Sequence, residues 1–216
     1  MSRSGRSSGS VFDVVEDLSE QLRKNAGERW EARERALVEL QDVVAAYADA
    51  PNVFTKHEFK VLQGPLILQL KDLRSAIVRE ACNLVVLMAE ILGDSLGPLA
   101  DRIMPTIVEV LGCGNKVITG YIDDAAQRLL QNCRFRGGIT TCAESCRTCR
   151  SKDVRECCIE YLSLVLMHWG LSNGHLHKNC AAIEGALRSG TAPGADAVAG
   201  FVKALTEVLA AVGEDG

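Results

Sequence analysis

Apolar residues recur along this chain at intervals of three and four. Between Arg74 and Leu92, Ile77, Ala81, Leu84, Met88 and Ile91 form one stripe, and Val78, Cys82, Val85, Ala89 and Leu92 fill the stripe beside it. That spacing matches the turn of an α-helix, and so wide an apolar face must be covered by two neighbours. Val154, Cys158, Tyr161, Leu162, Val165, Leu166 and Trp169 repeat the pattern further on. No stretch alternates with period two over a useful length, so no strand is predicted.

The periodic segments are separated by turn-forming residues: Ala50-Pro51-Asn52, Gly93-Asp94-Ser95, Gly112-Cys113-Gly114-Asn115, Arg136-Gly137-Gly138, Ser172-Asn173-Gly174 and Thr191-Ala192-Pro193-Gly194. They predict about ten helices, near 11–26, 30–49, 55–70, 72–92, 96–111, 116–133, 138–149, 153–170, 175–189 and 196–212. Charged turns recur near Trp30, Asp72, Lys116, Asp153 and Asp196, in steps of 42, 44, 37 and 43 residues by subtraction. Helix pairs at periods of roughly 40–47 residues mark HEAT or armadillo repeats, and one pair alone cannot bury its apolar face. The expectation is an all-α solenoid of about five helix pairs over residues 11–212, with a basic tail at 1–10 and a flexible terminus at 213–216.

Composition agrees and narrows the partners. Leu, Ala, Val and Glu are abundant and aromatics make up 5 %, which favours helix over sheet. A net charge of −4 excludes a generally polycationic binder, so any basic surface is local. No apolar run is long enough to span a membrane, and MSRSGRSSGS lacks the apolar centre of a secretory signal. Nine cysteines, an odd number, suit reduced thiols better than a disulfide framework.

Stacked pairs bring their internal turns to one edge. Those turns are Gly27-Glu28-Arg29-Trp30, Lys71-Asp72-Leu73-Arg74-Ser75, Asn115-Lys116-Val117, Arg150-Ser151-Lys152-Asp153-Val154-Arg155, and Gly190 to Asp196. Four of the five carry Lys or Arg, and the first adds a tryptophan. A basic row with an aromatic anchor suits an acidic protein partner. Equally, polar turns are commonly charged and Trp30 can pack on its own helix.

Gln69-Leu70-Lys71-Asp72-Leu73-Arg74-Ser75-Ala76-Ile77-Val78-Arg79-Glu80-Ala81-Cys82 resembles the second-repeat signature of TOG domains in the CLASP family of microtubule regulators. Trp30-Glu31-Ala32-Arg33, followed by Ala36-Leu37 and Leu40, resembles the first repeat. Met104-Pro105 with Lys116-Val117-Ile118 resembles the third, and Arg150 to Arg155 with Glu160-Tyr161-Leu162 and Trp169 the fourth. The likeness spans roughly residues 11–189 in collinear order. It implies a tubulin-binding module of the cytoplasm and cytoskeleton, at microtubules of spindle or cilium, acting stoichiometrically and not as an enzyme. It implies that Trp30 packs on tubulin and that Lys71, Arg74, Lys116, Lys152 and Arg155 meet its acidic surface. No cofactor, nucleic acid or membrane partner is implied. The fifth turn departs from the family pattern: it has Asp196 before Ala197-Val198-Ala199-Gly200 and lacks the usual arginines. The sixth helix pair expected of the family does not follow before Gly216. The alternative is a TOG-derived scaffold that binds another protein without tubulin affinity.

Sharper chemistries fit less well. Cys142, Cys146 and Cys149 have the C-x3-C-x2-C spacing of an iron–sulfur loop, but one helical segment carries all three, so packing in a helix seam is expected and zinc is not. Gly93-Asp94-Ser95-Leu96 opens like a GDSL esterase, yet none of His57, His168, His175 or His177 follows an aspartate at the D-x-x-H spacing. His175 and His177 read as a solvated loop pair. Arg3 and Arg6 read as part of a flexible terminus.

Overall fold

The computed structural model describes residues 10–24, 30–169 and 202, without the side chains of Lys24, Pro51 and Arg147. Eight α-helices follow one another: α1 (Val11–Lys24), α2 (Trp30–Ala46), α3 (Lys56–Leu70), α4 (Ser75–Leu92), α5 (Gly97–Leu111), α6 (Lys116–Asn132), α7 (Arg136–Thr148) and α8 (Lys152–Trp169). Short 3-10 turns at Pro51–Val53 and Gly93–Leu96 lie between pairs. Among the described residues there is no strand, and no helix is long and apolar enough to cross a membrane. The predicted ninth helix, the tenth except Val202, the fifth turn with Asp196, residues 1–9 and 213–216, and His175 with His177 lie outside the described residues.

Local chemistry starts these helices where the pattern predicts. Thr55 and Glu58 cap α3 reciprocally: the Thr55 hydroxyl accepts from the His57 N–H and the Glu58 carboxylate accepts from the Thr55 N–H at 2.7 Å. Asn115 caps α6 by accepting from the N–H groups of Val117 and Ile118. Pro65, inside α3, has no N–H for the Val61 carbonyl four residues earlier. Arg23 of α1 supplies that donor at 3.2 Å, so a break in one helix is repaired by its neighbour.

The odd helices pack as one layer, α1 on α3 on α5 on α7, and the even helices as a second, α2 on α4 on α6 on α8. Each odd helix also packs on the even helix that follows it. Leu22, Leu37, Leu66, Leu84, Ile103 and Leu129, all fully buried, belong to one continuous core between the layers. Polar links stitch each pair to the next. Arg33 to Asp72, Gln41 to Glu80, Asp94 to Arg134, Asp101 to Gly137, Asp123 to Tyr161 and Leu130 to Trp169 each join residues 36–40 positions apart. That separation is the repeat itself, read in hydrogen bonds instead of apolar periodicity. The molecule is therefore an all-α solenoid of the HEAT kind.

One predicted break is corrected. Arg136-Gly137-Gly138 does not delay α7 but forms its first turn. The Gly137 N–H donates to the Asp101 carboxylate at 2.6 Å. A Cβ on Gly138 would stand 3.1 Å from the Phe135 ring and the Leu130 side chain. The two glycines permit close packing and do not end a helix. The helix predicted from residue 72 starts later, at Ser75, because the Asp72 carboxylate accepts the Arg74 N–H at 2.8 Å and holds the chain in a turn.

Candidate functional site

The two-layer arrangement sets the described turns inside the helix pairs, α3–α4, α5–α6 and α7–α8, along one edge; Gly27, Glu28 and Arg29 of the first turn lie outside the described residues. Trp30, the first residue of α2, is half-buried and packs against the core. The α3–α4 turn carries Lys71, Leu73 and Arg74, all exposed. The α5–α6 turn ends in Lys116 and Val117, also exposed, and the α7–α8 turn ends in Lys152.

The cations differ in how free they are. Lys71 reaches Glu109 on α5, and Arg74 lies 3.7 Å from Asp72. Exposed pairs of this kind contribute little and can be exchanged for a ligand's carboxylates. Lys116 has no ion pair among the described residues. Lys152 sits 3.3 Å from Glu156 one helical turn on. Arg155 is turned back: its guanidinium donates to the carbonyls of Cys149 at 2.8 Å and Arg150 at 2.9 Å, closing the α7–α8 turn. Among the described turn cations, Lys116 of the third turn and the exposed Arg150 of the fourth have no ion pair, while Lys71, Arg74 and Lys152 hold exchangeable surface pairs.

The sequence reading missed two groups on this edge. Leu73 is 91 % exposed and Val117 is 55 % exposed, so the tips of two adjacent turns are apolar. Among the described residues nothing covers them. Their flanking charges give the sequence signal, since Leu73 sits in a turn and Val117 in the first turn of α6, where an apolar residue need not join the core face. Between the two turns lies a cleft of about 420 Å³ with Lys71, Leu73, Glu109, Cys113 and Asn115 on its walls.

A third missed residue holds the edge in place. Arg33 of α2 is 2 % exposed and reaches across to the α3–α4 turn. It donates to the Asp72 carboxylate at 2.6 Å and to the Gln69 side chain at 2.7 Å. Gln69 in turn donates to the carbonyls of Leu22 and Pro65. Burial pushes the Asp72 carboxyl up, but hydrogen bonds from Arg33 and the Arg74 N–H, with both guanidinium charges, outweigh it and hold it below its usual range. One aspartate therefore joins a buried ion pair to the main chain of the turn that displays Lys71, Leu73 and Arg74.

Five of the eight described thiols are buried in the core, while Cys149 and Cys157 are half-buried and Cys113 is exposed. Cys142, Cys146 and Cys158 are fully buried in the seam between α7 and α8. The Cys146 thiol contacts the Arg155 carbonyl at 3.6 Å, and its hydrogen bond with Cys158, together with burial, holds it far above the usual thiol range. Burial pushes Cys82 and Cys133 up to about 12. Among the described residues, no cluster of His, Cys, Asp and Glu is arranged to hold a metal. Asp94 of the GDSL-like segment is taken by Arg134, at 2.7 Å.

The chain is thus a HEAT-type solenoid whose described turn edge is both apolar and basic. The chain belongs to the family described as CLASP N terminal, which matches residues 12–193. It is 33 % identical over 141 residues to a CLIP-associated protein of Arabidopsis thaliana, covering 65 % of this chain and 10 % of that protein. It is 30 % identical over 140 residues to CLIP-associating protein 1 of Xenopus tropicalis, again covering 65 % and 10 %. The chain thus matches about a tenth of the length of these relatives. A designed armadillo repeat protein aligns with 91 % of this chain and 92 % of its own length at 16 % identity and a TM-score of 0.39.

Proposed function

We propose that the turn edge binds αβ-tubulin, and that the protein regulates microtubule dynamics by stoichiometric binding in the cytoplasm. The observation that carries this reading is the exposure of Leu73 and Val117 among Lys71, Arg74 and Lys116 on one edge, in a chain of the CLASP N-terminal family. Tubulin's acidic surface complements these cations, and burying one leucine at a water-excluding contact contributes about 1.5–3 kcal/mol. Trp30 extends the strip at the first turn, Lys152 continues it at the fourth, and Arg155 shapes that fourth turn from behind. The mixed charge there, with Lys152 beside Glu156, favours a second reading: a scaffold of the same fold that binds another protein through the first three turns.

Size-exclusion chromatography of the full chain with purified αβ-tubulin separates the two. Co-elution at low salt is expected, weakening as salt rises, because exposed charges are screened beyond ~10 Å at 0.1 M. Leu73→Glu, and separately Lys71→Ala with Arg74→Ala, are expected to weaken binding at least ~10-fold, or ~1.4 kcal/mol. Arg136→Glu, at the start of α7 on the opposite set of turns, is expected to leave it intact. A parent that never co-elutes, or edge variants that bind like the parent, leaves the scaffold reading in its place.

A further inference from the structure

We infer that the cleft between α3 and α5, on the odd-helix face and away from the turn edge, is a second docking site, and that its occupant is an acidic, extended segment of a partner protein. The cleft measures about 420 Å³. Lys56 and Lys60 form one wall, Arg102 stands on the other, and Phe59 and Pro98 make its apolar surface.

Charge is the first argument. Elsewhere on the described surface Lys71, Arg74, Arg79, Arg128, Arg134 and Lys152 each have a carboxylate within 4 Å, and the exposed cations without one, such as Lys116, Arg136 and Arg150, stand on separate turns. Lys56, Lys60 and Arg102 are exposed and have no ion pair among the described residues. Three unneutralised cations thus share one concavity on a chain whose net charge is −4. The carboxylate at its rim, Asp101, accepts the Gly137 N–H at 2.6 Å and serves the α5–α7 contact. The cleft therefore keeps a net positive field that a bound anion would satisfy, and its low-dielectric walls concentrate that field.

Spacing argues for a peptide. Lys56 and Lys60 are four residues apart on one helix face, a rise of about 6 Å. In an extended chain, alternate residues point to the same side about 6.6–6.8 Å apart. Carboxylates at alternate positions of an extended segment therefore meet both lysines in turn, while Arg102 closes on the segment from the facing helix. An apolar side chain beside them finds the exposed Pro98, Phe59 being held in the core. A bilayer surface is flat on this scale and cannot enter a cleft, which favours a peptide over anionic lipid.

The test uses fluorescence anisotropy of a fluorescein-labelled peptide of alternating Glu and Ser, titrated with the full chain at low salt. Saturable binding is expected, lost for the Gln/Ser counterpart and weakened about tenfold or more by Lys56→Glu with Lys60→Glu and Arg102→Glu. If that triple variant fails to melt cooperatively, Lys60→Gln with Arg102→Gln is the substitute, with the same direction expected. Lys71→Glu with Arg74→Glu is expected to leave peptide binding unchanged, which separates this site from the tubulin proposal. The inference is overturned if the parent does not bind the peptide, if the cleft variants bind like the parent, if the edge variant abolishes binding, or if anionic phosphatidylserine vesicles bind where the peptide does not.

Discussion

Arg33 is the residue on which the turn edge most depends. It is a buried cation whose partner, Asp72, also fixes the start of α4 through the Arg74 N–H. Removing one member of a buried pair leaves the other charge desolvated and uncompensated, which costs more than the pair contributes. Arg33→Met is therefore expected to lower stability by about 2–4 kcal/mol in chemical denaturation, and Arg33→Met with Asp72→Asn to recover part of that loss. Recovery would identify the orphaned carboxylate, and not the lost aliphatic packing, as the main cost. Leu73, in contrast, is almost wholly exposed. Leu73→Ser is expected to leave the melting temperature within about 1–2 °C of the parent, because surface changes away from such networks stay within about 0.5 kcal/mol.

Among the helices, glycines separate close packing from simple helix weakness. Gly120 lies exposed within α6 with nothing within 4 Å of an added Cβ. Gly120→Ala is expected to stabilise the protein by about 0.5–1 kcal/mol, the usual penalty of a helical glycine. Gly138→Ala carries the same helix gain, but its Cβ would crowd Phe135 and Leu130 at 3.1 Å. The packing loss of about 1–3 kcal/mol outweighs the gain, so a lower denaturation midpoint is expected. A matched rise in both midpoints would mean that α7 can shift away from Phe135 without cost. The same contrast explains why a Gly-Gly dipeptide reads as a break in one dimension yet begins a helix in three.

At the scale of the whole molecule, stability is expected to fall in acid. Glu58, Asp72, Glu80 and Asp94 are all held below their usual carboxylate range, each by hydrogen bonds and neighbouring positive charge that outweigh burial. A carboxyl depressed in the folded state stabilises above its unfolded value and loses that contribution as pH falls through the folded one. Glu160, raised by burial and by Asp123 and Glu156, acts in the opposite sense, and four groups outweigh it. Denaturation monitored by helical circular dichroism is expected to show a plateau above about pH 5 and progressive loss below about pH 4. A midpoint that stays flat to pH 3 would show that these partners do not couple to folding.

Periodicity, turn chemistry and repeat length are local properties of the chain, and they were enough to locate all eight described helices and the edge their turns form. Ile77 and Met88 sit on the same face of α4 whatever it packs against, and Thr55 with Glu58 caps α3 from four consecutive residues. Exposure and partnership are not local. Leu73 and Leu70 are the same residue type three positions apart, yet one points to solvent and the other is fully buried. Arg33 and Arg155 each lead an Arg-Glu step near the start of an even helix; one spans to the next repeat and the other folds back on its own turn. The Arg33 contact depends on a residue 39 positions away, brought near only when successive pairs stack, whereas Arg155 finds its carbonyls within six positions. The chain by itself determined the helices and their order; only tertiary packing decided which turn residues remain free to meet a partner, because freedom at a surface is defined by what the rest of the fold leaves uncovered.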